Sequence, residues 1–259
     1  LACLLSIQGQ VTPEFQYFFA AAIVIFFLGL KDDLMILSAT KKFIGQIIAA
    51  SILIHLGGIR LESMHGLFGF EQVSEGFGLA LSYLTIIVVI NSFNLIDGVD
   101  GLAASLGILT MLVFGFYFFA VDQQAYALLS FSMAGSLVAF MIFNHHPAKI
   151  FMGDSGALFL GFSIAVLSIL GFKTATLVSF VVPLLIIGVP LGDTFLAILR
   201  RWVNKKPIFK ADKGHLHHCL NELGFSHRKA VLIVYGISAI FGIFAIVLFI
   251  TEASVGVTL

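Results

Sequence analysis

Eight apolar runs divide this sequence, and most of them approach the roughly 20 residues with which a helix crosses a bilayer. The runs are apolar throughout, whereas a strand of a membrane β-barrel would alternate with period two. A hydrophobic fraction of 59%, a charged fraction of 11% and a mean hydropathy of +1.08 lie outside the range of soluble domains. We therefore predict a single all-α membrane domain over residues 1–259. Its predicted spans are 15–30, 43–56, 78–93, 102–121, 125–143, 157–172, 174–199 and 230–251.

Four polar segments follow the first, third, fifth and seventh spans, and they are residues 31–42, 91–101, 144–156 and 200–229. If each run crosses once, all four emerge on one side. That side holds every lysine and arginine except Arg60 and Lys173, and basic residues mark the cytoplasm. Ionisable groups are unfavourable near hydrocarbon unless they line a wet site. We therefore expect one shared cytoplasmic surface, in a chain whose net charge of zero gives no general attraction for nucleic acid.

The first polar segment places Asp32 beside Asp33, with Lys41 and Lys42 beyond them. Adjacent carboxylates repel each other, so at least one pKa rises unless a cation or water relieves the pair. Such a pair can act as a base or hold a metal ion. The alternative is a solvated helix end with the basic residues that cytoplasmic loops usually carry.

In the second segment, Asn91, Asn94, Asp97 and Asp100 recur every three residues. On a helix they would drift around one face, whereas in a turn broken by glycine they would converge on one point. A helix cap accounts for one such residue but not for four. The pattern therefore favours a functional site.

The third segment combines Pro147, which breaks a helix, with Phe151, whose ring can stack, and Asp154, which lies between glycines before a new helix. A phosphate could approach the amides of that helix start, and a hard divalent cation would suit Asp154. His145 and His146 also fit ordinary interfacial positions.

The fourth segment gathers His215, His217 and His218 after Lys213, which is a donor cluster suited to phosphates. Zinc is the rival interpretation, because histidine is its common ligand. The neighbouring lysines would repel a cation, and no glutamate stands at the spacing of the metalloprotease motif.

Together the segments, with their runs NSFNLIDGVDG, NHHPAKIFMGDSG and DKGHLHH, resemble the polyprenyl-phosphate N-acetylhexosamine-1-phosphate transferases of glycosyltransferase family 4. The continuation GFSHRKAV is most similar to the branch acting with undecaprenyl phosphate and GlcNAc-1-phosphate. Members of this family usually carry a further helix before the first span found here. Because residues 1–7 look like the tail of an apolar segment, we expect an N-terminal portion of the family fold to precede this chain.

The resemblance implies transfer of N-acetylhexosamine-1-phosphate from a UDP-sugar to undecaprenyl phosphate, with release of UMP, at the cytoplasmic face of the bacterial inner membrane. It further implies Mg²⁺, with Mn²⁺ as a substitute, and allows a homodimer. Asn94 and Asp154 would hold the metal, Asp32 and Asp33 would serve catalysis, and Lys41 or Lys42 would meet the lipid phosphate. The implied substrate-binding residues are Asn91, Asp97, Asp100, Asn144, Phe151, His215, His217 and His218.

Several alternatives stay open on the sequence alone. The lipid phosphate can attack the UDP-sugar directly, or the reaction can pass through a covalent aspartyl-phosphate. A transporter would place its ionisable groups near the midplane, and an inactive scaffold would keep the family fold without turnover. No residue separates GlcNAc from other N-acetylhexosamines.

Overall fold

The computed structural model describes residues 13–63 and 72–174, together with separate positions between 188 and 247. Within the two continuous ranges the chain is helical, apart from one isolated bridge between Ser63 and Gln72. A π-helical turn over Ile52–Leu56 continues the second helix. The helices are α1 (Pro13–Leu34), α2 (Ala39–Ser51), α3 (Glu75–Ile96), α4 (Leu102–Ala120), α5 (Gln124–Asn144) and α6 (Gly153–Thr174). The prediction of an all-α fold is confirmed for this part of the chain.

Five helical segments in the described ranges are long and apolar enough to cross a membrane, and they are Ala39–Leu56, Glu75–Ile96, Leu102–Ala120, Gln124–Asn144 and Gly153–Lys173. They coincide with the second to sixth predicted spans, and α1 covers the first. The seventh and eighth predicted spans lie mostly outside the described residues.

The second predicted span, 43–56, began too late. Helix α2 starts at Ala39 after Ser38, whose extended backbone ends the preceding turn. Lys41 and Lys42 therefore lie in the first helical turn rather than in a loop. The extra turn brings the segment to the 18 residues that make it a candidate span.

Helix α6 forms the centre of the bundle, with α1 and α3 packed against two of its sides. Phe162 is fully buried and stacks on Phe18 of α1, with the ring centroids 5.8 Å apart. On the α3 side, a Cβ atom at Gly161 would lie only 2.8 Å from the Cα atom of Ile90. Because real Cβ atoms do not approach a backbone so closely, glycine permits α6 and α3 to touch.

A second close contact joins α1 to the first turn of α6. A Cβ atom at Gly29 would lie 2.5 Å from the Cα atom of Ser155, so only glycine allows this approach. Asp33 follows Gly29 by four residues and so lies on the same face of α1. The contact thus brings the Asp33 carboxylate to the beginning of α6.

Helices α4 and α5 form an antiparallel pair that also contacts the central bundle. Phe116 and Phe131 meet edge to face across the pair, at a centroid distance of 5.2 Å. Tyr126 of α5 stacks on Phe15 of α1 at 5.3 Å. The pair fixes where α5 ends and therefore where residues 145–152 return the chain to α6.

The connection between α2 and α3 lies at the end of the bundle opposite to the last turns of α1 and α3. Arg60 pairs with Glu62 at 2.9 Å and with Glu75 at 3.0 Å, which ties the connection to the start of α3. Residues 64–71 of this connection are outside the described part of the chain.

Candidate active site

Three of the four polar segments meet at one end of the bundle. Helices α1 and α3 end where α6 begins, which brings Asp32, Asn94 and Asp154 together although they are far apart in the sequence. The cluster lies at helix ends rather than at their midpoints, which disfavours the arrangement typical of a transporter. His215, His217 and His218 of the fourth segment lie outside the described residues.

Asp154 is the centre of this cluster. Its Oδ1 atom accepts a 2.8 Å hydrogen bond from the Asn94 amide nitrogen. Its Oδ2 atom accepts from the Lys42 ammonium group at 2.5 Å, and Lys42 also forms an ion pair with Asp32. A single lysine from α2 thus bridges carboxylates from α1 and α6.

Asp33 caps the beginning of α6. Its two carboxylate oxygens accept hydrogen bonds from the backbone N–H groups of Asp154 at 2.7 Å and Ser155 at 2.9 Å. Gly153 has φ +64°, and a Cβ atom there would come within 2.9 Å of the same carboxylate. The amides that were expected to receive a phosphate are therefore bound by a side chain of the protein, which also offsets the positive end of the helix dipole.

Asp32 holds the turn between α1 and α2. Its Oδ1 atom accepts a 2.6 Å hydrogen bond from the backbone N–H of Leu37, while its other oxygen faces Lys42. The adjacent carboxylates of Asp32 and Asp33 therefore point at different partners. This separation relieves the repulsion that their sequence positions imply.

Asp97 stands just beyond the end of α3, close to Asp154 and Asp33. Burial, together with the negative charges of these two neighbours, raises the pKa of the Asp97 carboxyl to about 7. A hydrogen bond from the backbone of Gly153 acts in the opposite direction. Near neutral pH this carboxyl is therefore divided between its protonated and ionised forms.

The four residues spaced by three in the second segment do not converge on one point. Helix α3 continues to Ile96, so Asn91 and Asn94 are helical while the two aspartates follow in a turn. Asn91 pairs with Gln46 of α2, at 2.8 Å from its amide nitrogen to the Gln46 oxygen. Asp100 accepts hydrogen bonds from the His146 ring at 2.9 Å and from a backbone N–H of the same loop.

Asn144 and Phe151 occupy contrasting environments in the connection between α5 and α6. Asn144 is buried, accepts from the Gly101 N–H at 3.1 Å and donates to the Ile150 carbonyl at 2.9 Å. It therefore joins two loops. Phe151 is 73% exposed, so its ring face is accessible to a planar group. The substrate-binding roles of both residues stay predictions.

A hard divalent cation fits the chemistry of this cluster. Carboxylates from α1, from α6 and from the turn after α3 outnumber the one lysine that bridges two of them, which leaves an excess of negative oxygen donors: Asp32, Asp33, Asp97 and Asp154. Within residues 13–63 and 72–174, no three His, Cys, Asp or Glu side chains form a closed metal site. Magnesium takes few protein ligands and completes its shell with water and substrate phosphates. The Asn94–Asp154 pair is therefore a suitable partial ligand set.

Sequence reasoning underestimated Lys42 and missed Gln46. A lysine at a cytoplasmic helix end is explained by the positive-inside rule, so its position gave only a weak signal. Gln46 is a single amide inside an apolar run, and this position was the sign in the sequence that it has a partner on another helix. The structure shows Gln46 buried there.

The described helices, five of them in segments long and apolar enough to cross a membrane, carry clustered carboxylates, an amide and a lysine at their ends. The model of glycosyl transferase family 4 matches residues 15–172 of the chain. This match covers more than half of the sequence, and the chain belongs to that family.

Relatives of known name support the same branch. The chain is 43% identical over 229 residues to the probable undecaprenyl-phosphate N-acetylglucosaminyl 1-phosphate transferase of Bacillus subtilis, covering 88% of this chain and 64% of the relative. It is 35% identical over 238 residues to the decaprenyl-phosphate N-acetylglucosaminephosphotransferase of Mycobacterium tuberculosis, covering 83% and 59%. A similar protein of Yersinia pestis is named undecaprenyl-phosphate alpha-N-acetylglucosaminyl 1-phosphate transferase, with 29% identity over 234 residues, covering 88% and 64%. The chain thus spans about three fifths of the length of these relatives.

Proposed function

We propose that the protein transfers GlcNAc-1-phosphate from UDP-GlcNAc to undecaprenyl phosphate, releases UMP and so begins the synthesis of a cell-envelope polysaccharide. The names of the relatives specify a polyprenyl phosphate and an N-acetylglucosaminyl 1-phosphate group. The observation that carries the proposal is the placement of Lys42 and Asn94 on the two oxygens of Asp154. This arrangement supplies positioning and charge, which are what phosphoryl transfer requires of a protein.

Asn94 and Asp154 are the proposed ligands of Mg²⁺ or Mn²⁺. The Asn94 nitrogen donates to Asp154, which leaves the Asn94 amide oxygen as the atom suited to a cation. The ion would neutralise the charge of the donor diphosphate. Lys42 is the positive side chain best placed to receive the lipid phosphate, because it already bridges Asp32 and Asp154 in the same cluster.

Direct transfer is the preferred chemistry. An oxygen of the lipid phosphate attacks the β-phosphorus of UDP-GlcNAc, the bond from that phosphorus to the bridging oxygen breaks, and UMP leaves with that oxygen. Both oxygens of Asp33 accept backbone hydrogen bonds, so this residue is better suited to holding Asp154 than to attacking phosphorus. Asp32 is the proposed group that orients the attacking phosphate.

The proposal includes the setting of the site. Eight spans in this chain would put the four polar segments on the cytoplasmic face of the bacterial inner membrane, where the chain is proposed to act and could form a homodimer. Asp97, Asp100, Asn144 and Phe151 would line the nucleotide pocket, with the exposed Phe151 ring against uracil. The three histidines of the fourth segment would meet phosphate or sugar.

The test uses the full-length protein, purified in detergent, with undecaprenyl phosphate and UDP-GlcNAc labelled in the sugar. We expect labelled lipid and UMP in equal amounts, with both lost on chelation by EDTA and both restored by MgCl₂. A parallel panel of UDP-sugars, with UDP-GalNAc among them, identifies the donor. Failure of every donor to label the lipid in the presence of Mg²⁺ would refute the proposed activity and favour an inactive scaffold.

A further inference from the structure

Two side-chain amides face each other between α2 and α3, away from the carboxylate cluster. Gln46 is only 1% exposed. The Asn91 nitrogen donates to the Gln46 oxygen at 2.8 Å, and the Gln46 nitrogen donates back to the Asn91 oxygen at 3.4 Å. Gln46 and Asn91 form an amide pair. Such pairs are typical contacts between membrane helices, because hydrocarbon offers no other partner.

The orientation of the amide pair is fixed by a third hydrogen bond. The Asn91 nitrogen also donates to the carbonyl of Ile87, one turn earlier in α3, at 2.7 Å. Both hydrogens of that nitrogen are therefore used, one inside α3 and one across to α2. Rotation of either amide would break at least one of these bonds, so the pair sets the register of the two helices.

The amide pair lies one helical turn below the cluster on both helices. Gln46 follows Lys42 by four residues, and Asn91 precedes Asn94 by three, so each amide shares a face with the cluster residue of its own helix. Lys42 and Asn94 bind the two opposite oxygens of Asp154. At 1.5 Å per residue, Gln46 lies about 10 Å along α2 from its beginning.

The buried apolar residues of the α2 span lie on its half away from Lys42, and they are Ala49, Ala50, Leu53 and Ile54. Only 28% of this span is buried in the bundle, and large apolar side chains along it face outward: Phe43, Ile44 and Ile48. Lipid can replace such outward contacts without fixing the rotation or height of the helix. In the half of α2 that carries Lys42, polar contacts to neighbouring helices therefore constrain where the helix presents this side chain.

We propose that the Gln46–Asn91 amide pair is a positioning device that sets Lys42 of α2 and Asn94 of α3 against Asp154. The catalytic consequence of this proposal rests on the proposed function. Asn91 would act by placing Lys42 and Asn94 rather than by contacting the substrate itself. Gln46 becomes a residue required for transfer although it touches none of the four carboxylates in the contacts described.

A second polar contact between the same helices provides the matched control. Ser51 donates to the Ile47 carbonyl at 2.8 Å, so Tyr83 of α3 is the donor of the 2.7 Å bond between the two hydroxyl groups. Tyr83 lies two turns further from the cluster than Asn91 does. The Tyr83→Phe substitution therefore removes an α2–α3 hydrogen bond without disturbing the turn beside Lys42.

The main variant replaces both amides by apolar groups of similar shape, Gln46→Met with Asn91→Leu. Removing both partners leaves no buried polar group unsatisfied, so thermal unfolding in detergent should remain near that of the wild-type protein. A third variant exchanges the two residues, Gln46→Asn with Asn91→Gln, and can restore an amide pair of the same total length.

The first measurement does not depend on transferase activity. Acylation of Lys42 by an amine-reactive reagent is compared by mass spectrometry with acylation of exposed Lys41, which serves as an internal reference. We expect the Lys42-to-Lys41 ratio to rise several-fold in the double apolar variant, because Lys42 is no longer held between carboxylates. The ratio should stay at the wild-type value in Tyr83→Phe and return towards it in the exchanged variant.

The second measurement is steady-state transfer from UDP-GlcNAc. We expect kcat of the double apolar variant to fall roughly tenfold or more, since small displacements of positioned groups reduce rates by such factors. KM for UDP-GlcNAc should change little, and Tyr83→Phe should retain wild-type kcat. The exchanged variant should recover a large part of the lost rate.

The outcomes separate the two proposals. Equal Lys42 reactivity in the double apolar, Tyr83→Phe and wild-type proteins would overturn the positioning role, as would a wild-type kcat in the double apolar variant. If the wild-type protein transfers no sugar phosphate, the proposed function fails, but the acylation ratios still decide whether the amide pair places Lys42.

Discussion

Helices α6 and α2 contribute to the same cluster but are held in place by different forces. The α6 span is 83% buried in the bundle, whereas the α2 span is 28% buried. Close backbone contacts at Gly29 and Gly161 fix α6 from two sides. The α2 span has its buried apolar residues towards the end far from Lys42, and near Lys42 it depends on hydrogen bonds and ion pairs made by a few polar side chains. The position of Asp154 is therefore set by shape, and the position of Lys42 is set by polar chemistry.

This difference predicts which substitutions affect stability and which affect the site. Packing changes on α6 act on the folded bundle as a whole, because closely packed interiors transmit strain. Polar changes on α2 act on the geometry at the helix ends and leave most of the packing intact.

The largest effect is expected for Asp154→Asn. The substitution keeps the size of the side chain but removes the charge that meets Lys42 and the proposed cation, so transfer should fall by at least about 10²-fold. The measurement is the rate of lipid labelling from UDP-GlcNAc at saturating Mg²⁺. Asp122→Asn is the control, because Asp122 is an exposed acid between α4 and α5 whose φ of 58° asparagine also adopts. Full activity of Asp154→Asn would contradict the central role of this residue.

The next effect concerns packing and compares two phenylalanines. Phe162→Ala should lower the free energy of unfolding by about 2 kcal/mol or more, because it opens a cavity in the centre of the bundle. Phe43→Ala on α2 should change the free energy of unfolding by less than about 0.5 kcal/mol. Phe43 is 46% exposed, and lipid or detergent replaces its outward contacts. Denaturant titration in detergent measures both values. Similar losses for the two variants would remove the distinction between the helices.

A smaller effect is expected from the titration of Asp97. Its pKa of about 7 in the folded protein lies above its ordinary value of 3.8, so the folded state binds more protons between these values. The contribution of Asp97 to stability should therefore be largest at pH 4 and below, decline as the pH rises towards 7 and level off above it. With EDTA present, Asp97→Asn should reduce the fall in the free energy of unfolding between pH 4 and 7 by on the order of 1 kcal/mol. The effect is smaller than the full pKa shift implies, because water reaches the partly buried carboxyl and screens its charge. An unchanged slope in this variant would show that other groups cause the pH dependence.

The smallest effect is expected at the far end of α2. Ser51→Ala removes the hydrogen bond with Tyr83 and should lower stability by about 0.6 kcal/mol, the average for polar contacts between membrane helices. Unfolding in detergent and transfer rate are measured on the same preparation. A stability loss without a change in kcat is the expected result, and a large fall in kcat would mean that the whole α2–α3 contact controls the cluster.

Apolar run length was sufficient to predict the helices of the described ranges but not their ends. Helix α6 was expected to begin at residue 157 and begins at Gly153, and α2 begins four residues before its predicted start. Local sequence favours a loop at both places. The extra turns are stabilised by partners distant in the sequence, such as the Asp33 carboxylate on the first amides of α6.

The parity of the spans predicted that the first three polar segments would meet, because parity depends only on how often the chain crosses, and the fourth segment lies mostly outside the described residues. It did not predict the individual partners. Asn91 and Asn94 look equivalent in the sequence, yet one binds Gln46 and the other binds Asp154. Such choices depend on the rotation of α3 about its axis, which the uniformly apolar run does not reveal because it lacks an amphipathic face.

The capping of α6 by Asp33 also bears on the order in which reactants can assemble. The helix start that attracts anions in many phosphate-binding proteins is here already satisfied by an internal carboxylate. A bare nucleotide diphosphate approaching this surface meets repulsion from the acidic residues, with Lys42 as their only bridging counter-charge among the described contacts. If the protein acts as proposed, this surface would favour a diphosphate that arrives already complexed with its divalent ion.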